Sequence, residues 1–407
     1  MDKLGATIDI AAVFQFKRFA DYMSREKIKV LTVFGTRPEA IKMCPLIKEL
    51  EKSDLIYSRL CVSGQHQSML SQVLDAFDVV PNYDLSIMRD KQSLTTITSS
   101  VLQGLDPVFD AEKPELVLVH GDTTTSMAAA LAAFYHQIPV GHVEAGLRTG
   151  NIYSPFPEEM NRRLLSDLAT YHFAPTSTNR AALMHEGITN NIFVTGNTVI
   201  DAFQYTIKQD FVFDDPALRS FDFSSPTILM TAHRRENLGA PLQNICNAVL
   251  EICNNNPSLR VIYPVHLNPL VQDTVFASLN HHPQITLTDP INVLDMHNAI
   301  SKSFFVLTDS GGLQEEVPHL GKPVLVLREN TERPEAIEAG TALLIGTDKD
   351  RIVSAVETLL HDRVIYNKMS TAINPYGDGR ASQRIVFTIE NGFVLDEGMS
   401  FNPAKKD

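Results

Sequence analysis

The chain has 407 residues, 44% hydrophobic and 20% charged, which excludes an intrinsically disordered protein and supplies apolar side chains for two or three domain cores. Its 35 Lys and Arg against 48 Asp and Glu leave a formal charge of −13, which excludes a nonspecific nucleic-acid binder with a basic face but not a small anionic ligand held by local cations. No apolar run approaches the roughly 20 residues of a membrane span, so no membrane partner is expected.

Residues 1–27 precede the first clear strand as an extension. Their apolar stretch, Ile10–Phe14, is short and bounded by Asp9 and Gln15, so a short amphipathic helix is expected rather than a signal peptide. Lys29–Phe34 reads as the first strand, ended by Gly35, and Glu39–Lys52 has helical spacing. Strands follow at Arg59–Ser63 and Glu115–His120, then a small-residue helix at Thr124–Tyr135. Pro139–Val143, Tyr171–Ala174 and Ile192–Thr195 continue the series. The segment from Gln204 to Ser225 is polar and weakly periodic, and is expected to be a surface excursion. A second series of strands runs through Thr227–Thr231, Arg260–Pro264, Ile285–Thr288, Phe304–Thr308 and Pro323–Leu327. Near-continuous apolar strands belong to parallel sheets covered on both faces, so two doubly wound α/β domains in tandem are expected. The four cysteines, Cys44, Cys61, Cys246 and Cys253, form no C-x-x-C pair and read as reduced core thiols of a cytoplasmic protein.

Ligands of open parallel sheets bind beyond the carboxyl ends of the strands, and the polar clusters of this chain lie there. Strand ends carry Gly35-Thr36-Arg37-Pro38-Glu39, Gly121-Asp122-Thr123-Thr124, Glu144-Ala145-Gly146, His233-Arg234-Arg235-Glu236-Asn237, His266 and Asp309-Ser310-Gly311-Gly312. Together they outline a cleft.

Ser310-Gly311-Gly312, after a strand and before a helix, forms an anion cradle; Ser-Gly-Gly is also a common turn. There is no G-x-x-x-x-G-K-[ST] run and no G-x-G-x-x-G after the first strand, so neither a P-loop nor a dinucleotide fingerprint is present. Glu315 or Glu316, within the following helix, would accept hydrogen bonds from a ribose diol; a solvated helix face is the competing reading. Arg333, and Arg37 and Lys42 from the other series, would offset diphosphate charge, with a solvated lysine the alternative for Lys42.

Asp122 and Glu144 end strands of one sheet, and Glu158 follows Ser154-Pro155-Phe156-Pro157. Several carboxylates in one cleft would raise one another's pKa and permit acid/base work at neutral pH. The plainer readings are helix capping for Asp122 and salt bridges of the glutamates to Arg148, Arg162 or Arg163. His233 precedes two arginines, whose repulsion would keep its imidazole neutral. His120, Asp122, His142 and Glu144 could be weighed as metal ligands, but both histidines are expected to sit back within their strands, and no metal is expected.

As a set, GTRPEA (Gly35–Ala40), HGDTTT (His120–Thr125), HVEAGLRTG (His142–Gly150), SPFPEE (Ser154–Glu159), TAHRREN (Thr231–Asn237), YPVHLNP (Tyr263–Pro269), TDSGGLQEE (Thr308–Glu316), ERPEA (Glu332–Ala336) and NPYGDG (Asn374–Gly379) resemble the non-hydrolysing UDP-N-acetylglucosamine 2-epimerases over about residues 28–390. The resemblance implies a glycosyltransferase-B-like fold: two Rossmann-like domains, residues 28–196 plus 375–395 and residues 197–374, with the active site in the interdomain cleft. It implies reversible epimerisation of UDP-N-acetylglucosamine to UDP-N-acetylmannosamine at carbon 2, through elimination of UDP and a 2-acetamidoglucal intermediate. The alternatives are a hydrolysing relative that releases UDP and N-acetylmannosamine, or a glycosyltransferase of the same fold. No NAD or other cofactor is implied, and a homodimer is.

Carried over by motif, the acid/base carboxylates are Asp122, Glu144 and Glu158 and the catalytic-site histidine is His233. The substrate contacts are Asp122, Glu144 and His233 with Arg37, Lys42, Ser310, Gly311, Gly312, Glu316 and Arg333. Two departures stand out. Ile291 and Met296 occupy the positions where relatives often place Gln and Phe around uracil. A second, activating UDP-N-acetylglucosamine site is implied by Gln65, His66, Gln92 and His266, whereas Gln67, Ser68 and Lys91 differ from some members.

Overall fold

A computed structural model describes residues 26–64, 67–89, 92–395 and 398–403. Of residues 1–27, where a short helix is expected, only 26 and 27 are described, and they are not helical.

Two parallel sheets organise the chain. The first contains β1 (Ile28–Phe34), β2 (Ile56–Val62), β3 (Tyr83–Asp84), β4 (Leu116–His120), β5 (Val140–Val143), β6 (Tyr171–Ala174) and β7 (Ile192–Val194), in the order β3-β2-β1-β4-β5-β6-β7. The second contains β8 (Thr227–Thr231), β9 (Arg260–Pro264), β10 (Ile285–Thr288), β11 (Phe305–Thr308), β12 (Val324–Val326) and β13 (Ala342–Leu344), in the order β10-β9-β8-β11-β12-β13. Chain order reverses between β1 and β4 and again between β8 and β11, which opens a crevice at each switch point. This is the doubly wound, glycosyltransferase-B-like architecture expected from the sequence. Among the described residues, no helix is long and apolar enough to cross a membrane.

The apolar strand runs explain the cores. All five residues of β4 are buried, as are all five of β8. The edge strands β3 and β13 escape a sequence reading because they are only two and three residues long. Helix Leu94–Glu112 escapes it for another reason: its first turns are rich in Thr and Ser, and Pro107 lies inside it. Ile97, Val101, Leu105, Val108 and Phe109 nevertheless share one buried face, and the Ser93 side chain caps the start by accepting from the Thr96 N–H.

The segment 204–225 corrects an expectation. It is not a plain surface excursion: Phe213 and Leu218 are buried in the core of the second sheet, and Phe211, Phe221 and Phe223 pack against it. Phenylalanines spaced two apart among aspartates supply this apolar face, and Asp215 caps the short helix Pro216–Arg219.

After the second sheet the chain returns to the first. Helix Ala381–Glu390 packs on helices Arg37–Lys52 and Thr198–Asp201. Its Ile385, Val386 and Ile389 join the core that holds Val30, Phe34 and Phe173. Buried Asp201 receives the N–H groups of Ala381 at 3.2 Å and Ser382 at 2.7 Å, a carboxylate at the positive end of that helix.

Gly146 is required by its backbone. Its φ is +93°, and a Cβ there would lie 2.3 Å from the Asn179 carbonyl oxygen. Gly146→Ala is expected to destabilise the protein by about 2–4 kcal/mol, because both a left-handed backbone and a fixed carbonyl resist it. Urea unfolding with an unchanged m-value and a lower midpoint would show this; an unchanged midpoint would refute it.

Candidate active site

The ends of β1 and β4 are tied together by one side chain. Glu39, buried in the first turn of helix Arg37–Lys52, accepts the N–H of Thr36 at 2.8 Å and of Gly35 at 3.1 Å. Its other oxygen accepts the hydroxyls of Thr123 at 2.7 Å and Ser126 at 2.8 Å. The acid of the GTRPEA run, Glu39, thus fixes the loop that follows β4.

One turn further along the same helix, Lys42 bonds to Glu144 at the end of β5. Glu144 Oε2 also lies 3.3 Å from His120 Nε2. Lys42 is therefore not a solvated lysine. Glu144 has φ +64°, a strained conformation for a side-chain-bearing residue, and such strain concentrates at functional sites. The expectation of mutually raised carboxylates fails at Glu144. Burial alone would raise its carboxyl, but Lys42 and His120 outweigh that and hold it well below the usual carboxylate range. His142 is set back in β5, where burial pushes its imidazole down to about 3 and its Nε2 lies 2.7 Å from the Gly121 carbonyl. Among the described residues, no group of three or more His, Cys, Asp or Glu side chains is arranged to hold a metal ion.

Asp122 does not cap the helix that follows it. Thr123 does, accepting the Ser126 N–H at 3.0 Å. Asp122 instead receives Arg162 through Nε at 2.9 Å and Nη2 at 2.6 Å. Arg162 Nη1 also reaches buried Glu159 at 2.9 Å. Glu159, not Glu158, takes the ion pairs of helix Glu158–Leu168, and it also accepts the N–H groups of Thr149 and Gly150. Glu158 Oε2 is buried with no hydrogen-bond partner among the described residues. An unpartnered buried carboxylate oxygen costs free energy and marks a place for a ligand or a proton.

The second sheet contributes a loop hung on Asp309. This buried carboxylate accepts the N–H groups of His233 and Arg234, each at 2.8 Å, and the Asn237 amide at 3.0 Å. The His233 ring stacks on His266, with centroids 5.0 Å apart. Burial first, then His266 and Arg234, lower the His233 imidazole despite the attraction of Asp309. The arginines invoked from sequence are thus a minor cause.

Ser310 precedes helix Gly311–Glu316, and a Cβ on Gly311 would lie 3.5 Å from Arg234 Nη2 and 3.8 Å from Arg333 Cζ. Two guanidinium groups therefore stand over the glycine. Glu315 is not free for a ribose: it pairs with Arg333 and accepts the Asn197 amide at 2.8 Å. Burial raises its carboxyl against the pull of Arg333 and Lys42. Glu316 lies beside Gly312, whose Cβ would approach its Oε1 to 3.1 Å.

The two halves meet across this site. Glu144, Asn179, Asn197, Glu315, Arg333 and Tyr376 line one cavity between them. Arg37 donates to the Ile291 carbonyl at 3.3 Å, while burial lowers its guanidinium pKa. Ile291 is buried and Met296 packs on the same core. Of the residues expected at an activating site, Gln65 and His66 lie outside the described residues. The Gln92 amide donates to the Ile87 carbonyl, and His266 lies against His233.

Sequence reasoning missed Arg234 as a cation over Gly311 and Arg162 as the partner of Asp122. The second left no local signal, because Asp122 and Arg162 are 40 residues apart in sequence.

The family described as UDP-N-acetylglucosamine 2-epimerase matches residues 48–390. A UDP-N-acetylglucosamine 2-epimerase of Bacillus subtilis is 54% identical over 362 residues, 89% of this chain and 94% of that one. The crystal structure of UDP-GlcNAc 2-epimerase from Neisseria meningitidis bound to UDP-GlcNAc is 48% identical, covers 89% of this chain and 100% of that one, and superposes with a TM-score of 0.81. An S. aureus structure with UDP is 46% identical, covers 92% and 100%, and has a TM-score of 0.82. The chain belongs to the UDP-N-acetylglucosamine 2-epimerase family.

Proposed function

We propose that the protein interconverts UDP-N-acetylglucosamine and UDP-N-acetylmannosamine by eliminating and re-adding UDP. A base removes the carbon-2 proton, the carbon-1–oxygen bond to UDP breaks, and 2-acetamidoglucal and UDP remain in the cleft. UDP then re-adds at carbon 1 while a proton is delivered to the opposite face of carbon 2. No step of this route transfers a hydride, so it requires no nicotinamide.

Inversion requires proton-carrying groups on both faces of the sugar. Asp122, with its Arg162 partner, and Glu158, with its unpartnered oxygen, suit that work. Glu144, held ionised by Lys42 and His120, suits electrostatic support of the positive character that develops at carbon 1. His233, kept largely neutral, suits hydrogen bonding to the departing phosphate. Ser310, Gly311 and Gly312 beneath Arg333 suit the diphosphate, with Arg37 and Lys42 from the other sheet and Glu316 for the ribose.

The observation that carries the proposal is the pairing of unlike walls. Glu144 of the first sheet shares a cavity with Arg333 of the second, and Arg333 stands with Arg234 over Gly311 of the glycine cradle. We also propose a cytoplasmic homodimer. Exposed Phe134, Tyr135, Met160 and Leu164, on neighbouring helices of the first sheet, are apolar surface a second copy would cover. The proposed domain division is residues 28–196 plus 375–395 against residues 197–374.

Incubation with UDP-N-acetylglucosamine in deuterated water, followed by NMR, tests the reaction. Two UDP-sugars with deuterium at carbon 2 are expected. Free N-acetylmannosamine as the main product would establish the hydrolysing reaction instead, and absence of exchange would refute both.

A further inference from the structure

Glu316 ends a buried chain of side chains that the proposed reaction does not use. Its Oε2 lies 3.4 Å from Nε2 of His297. His297, on helix Val293–Lys302, is 2% exposed. Its Nδ1 lies 2.8 Å from the Thr206 hydroxyl, which is in turn 3.0 Å from the Ala202 carbonyl. The ring packs on Phe203 with centroids 4.5 Å apart, and Phe203 stacks on His319. An ionised carboxylate can only accept, and with the Thr206 hydroxyl pointing at Nδ1 the neutral ring carries its hydrogen on Nε2, towards Glu316. Nδ1 is hydrogen-bonded to Thr206, Nε2 faces Glu316 at 3.4 Å, and one face of the ring is covered. The imidazole therefore has one orientation, and it holds Oε2. That leaves Oε1 beside Gly312, on the side of the cradle.

We infer that His297 is a positioning residue: it fixes Glu316 so that Oε1 accepts from the ribose hydroxyls, and thereby sets the preference for ribonucleotide over deoxyribonucleotide. The inference rests on the assignment of Glu316 to the ribose. A carboxylate left to rotate would lose the directional hydrogen bond to a hydroxyl but retain most of the phosphate affinity, which arises elsewhere in the cleft.

The test is calorimetric titration of UDP, 2′-deoxy-UDP and 3′-deoxy-UDP. The unaltered protein is expected to favour UDP over at least one deoxy analogue by about 10- to 100-fold, the range of one hydrogen bond to a charged group. His297→Ala is expected to bring that ratio below about threefold, and His297→Gln, which can still donate to Glu316, to restore part of it. Thr206→Val cuts the other end of the chain and should give an intermediate ratio. A purely structural role would weaken all three ligands equally, so an unchanged ratio in folded His297→Ala and Thr206→Val overturns the inference. Glu316→Gln separates the two readings. If it erases the preference while the His297 and Thr206 variants keep it, only the positioning role fails. If it too keeps the preference, the ribose assignment fails as well.

Discussion

Asp122→Asn is expected to lower kcat by about 10³- to 10⁴-fold, the upper range for losing a general acid or base, with UDP affinity changed by less than about threefold. Asparagine keeps the size of aspartate and one oxygen for the Arg162 guanidinium, but it cannot carry the proton. The fold should tolerate the change. Thr123 caps the helix after β4, and Arg162 keeps its second partner, Glu159, at 2.9 Å. Steady-state kinetics together with UDP titration checks this. Turnover within tenfold of normal would remove Asp122 from the proton-transfer step, and loss of cooperative unfolding would assign it a structural role.

Glu144→Gln has the second largest expected effect, and it should be felt in stability as well as rate. Lys42 and Glu144 are 15% and 13% exposed, and removing the carboxylate charge leaves a nearly buried ammonium with the more distant Glu315 as its remaining counter-charge. Breaking such a pair should cost about 2–4 kcal/mol, somewhat below the range for fully buried pairs. The rate should fall by about 10²- to 10³-fold as the local field is lost. Adding Lys42→Met to Glu144→Gln should recover part of the stability and none of the turnover. If the single variant were as stable as the parent, the pair would be contributing nothing to the fold.

Much of this site is legible in the sequence because parallel sheets put their chemistry at strand ends. β1, β4, β5, β8, β9 and β11 are apolar runs, and each stops at one of the polar clusters named from sequence. What is not legible is which carboxylate pairs with which cation. Adjacent Glu158 and Glu159 look alike in sequence. In the fold, Glu159 turns inward to Arg162 while Glu158 keeps an unpartnered oxygen. Adjacent Glu315 and Glu316 likewise divide, one to Arg333 and the other towards His297. A helix turns by about 100° per residue, so neighbours face different surroundings, and only the packed structure decides which. The direction of the Glu144 shift is hidden for the same reason: Lys42 is 102 residues away in sequence.

The return of helix Ala381–Glu390 to the first sheet bears on how the protein is made. Ile385, Val386 and Ile389 belong to the core built around β1, yet they are translated after the whole second sheet. On the ribosome, the first half to emerge is therefore the last to be finished. It must wait with an open apolar face on helices Arg37–Lys52 and Thr198–Asp201 while β8 to β13 are synthesised and can already pair. Vectorial synthesis ordinarily lets a leading unit fold before the next appears. In this chain that order is reversed, and the interval before residue 390 emerges is when nascent chains are most open to capture by chaperones.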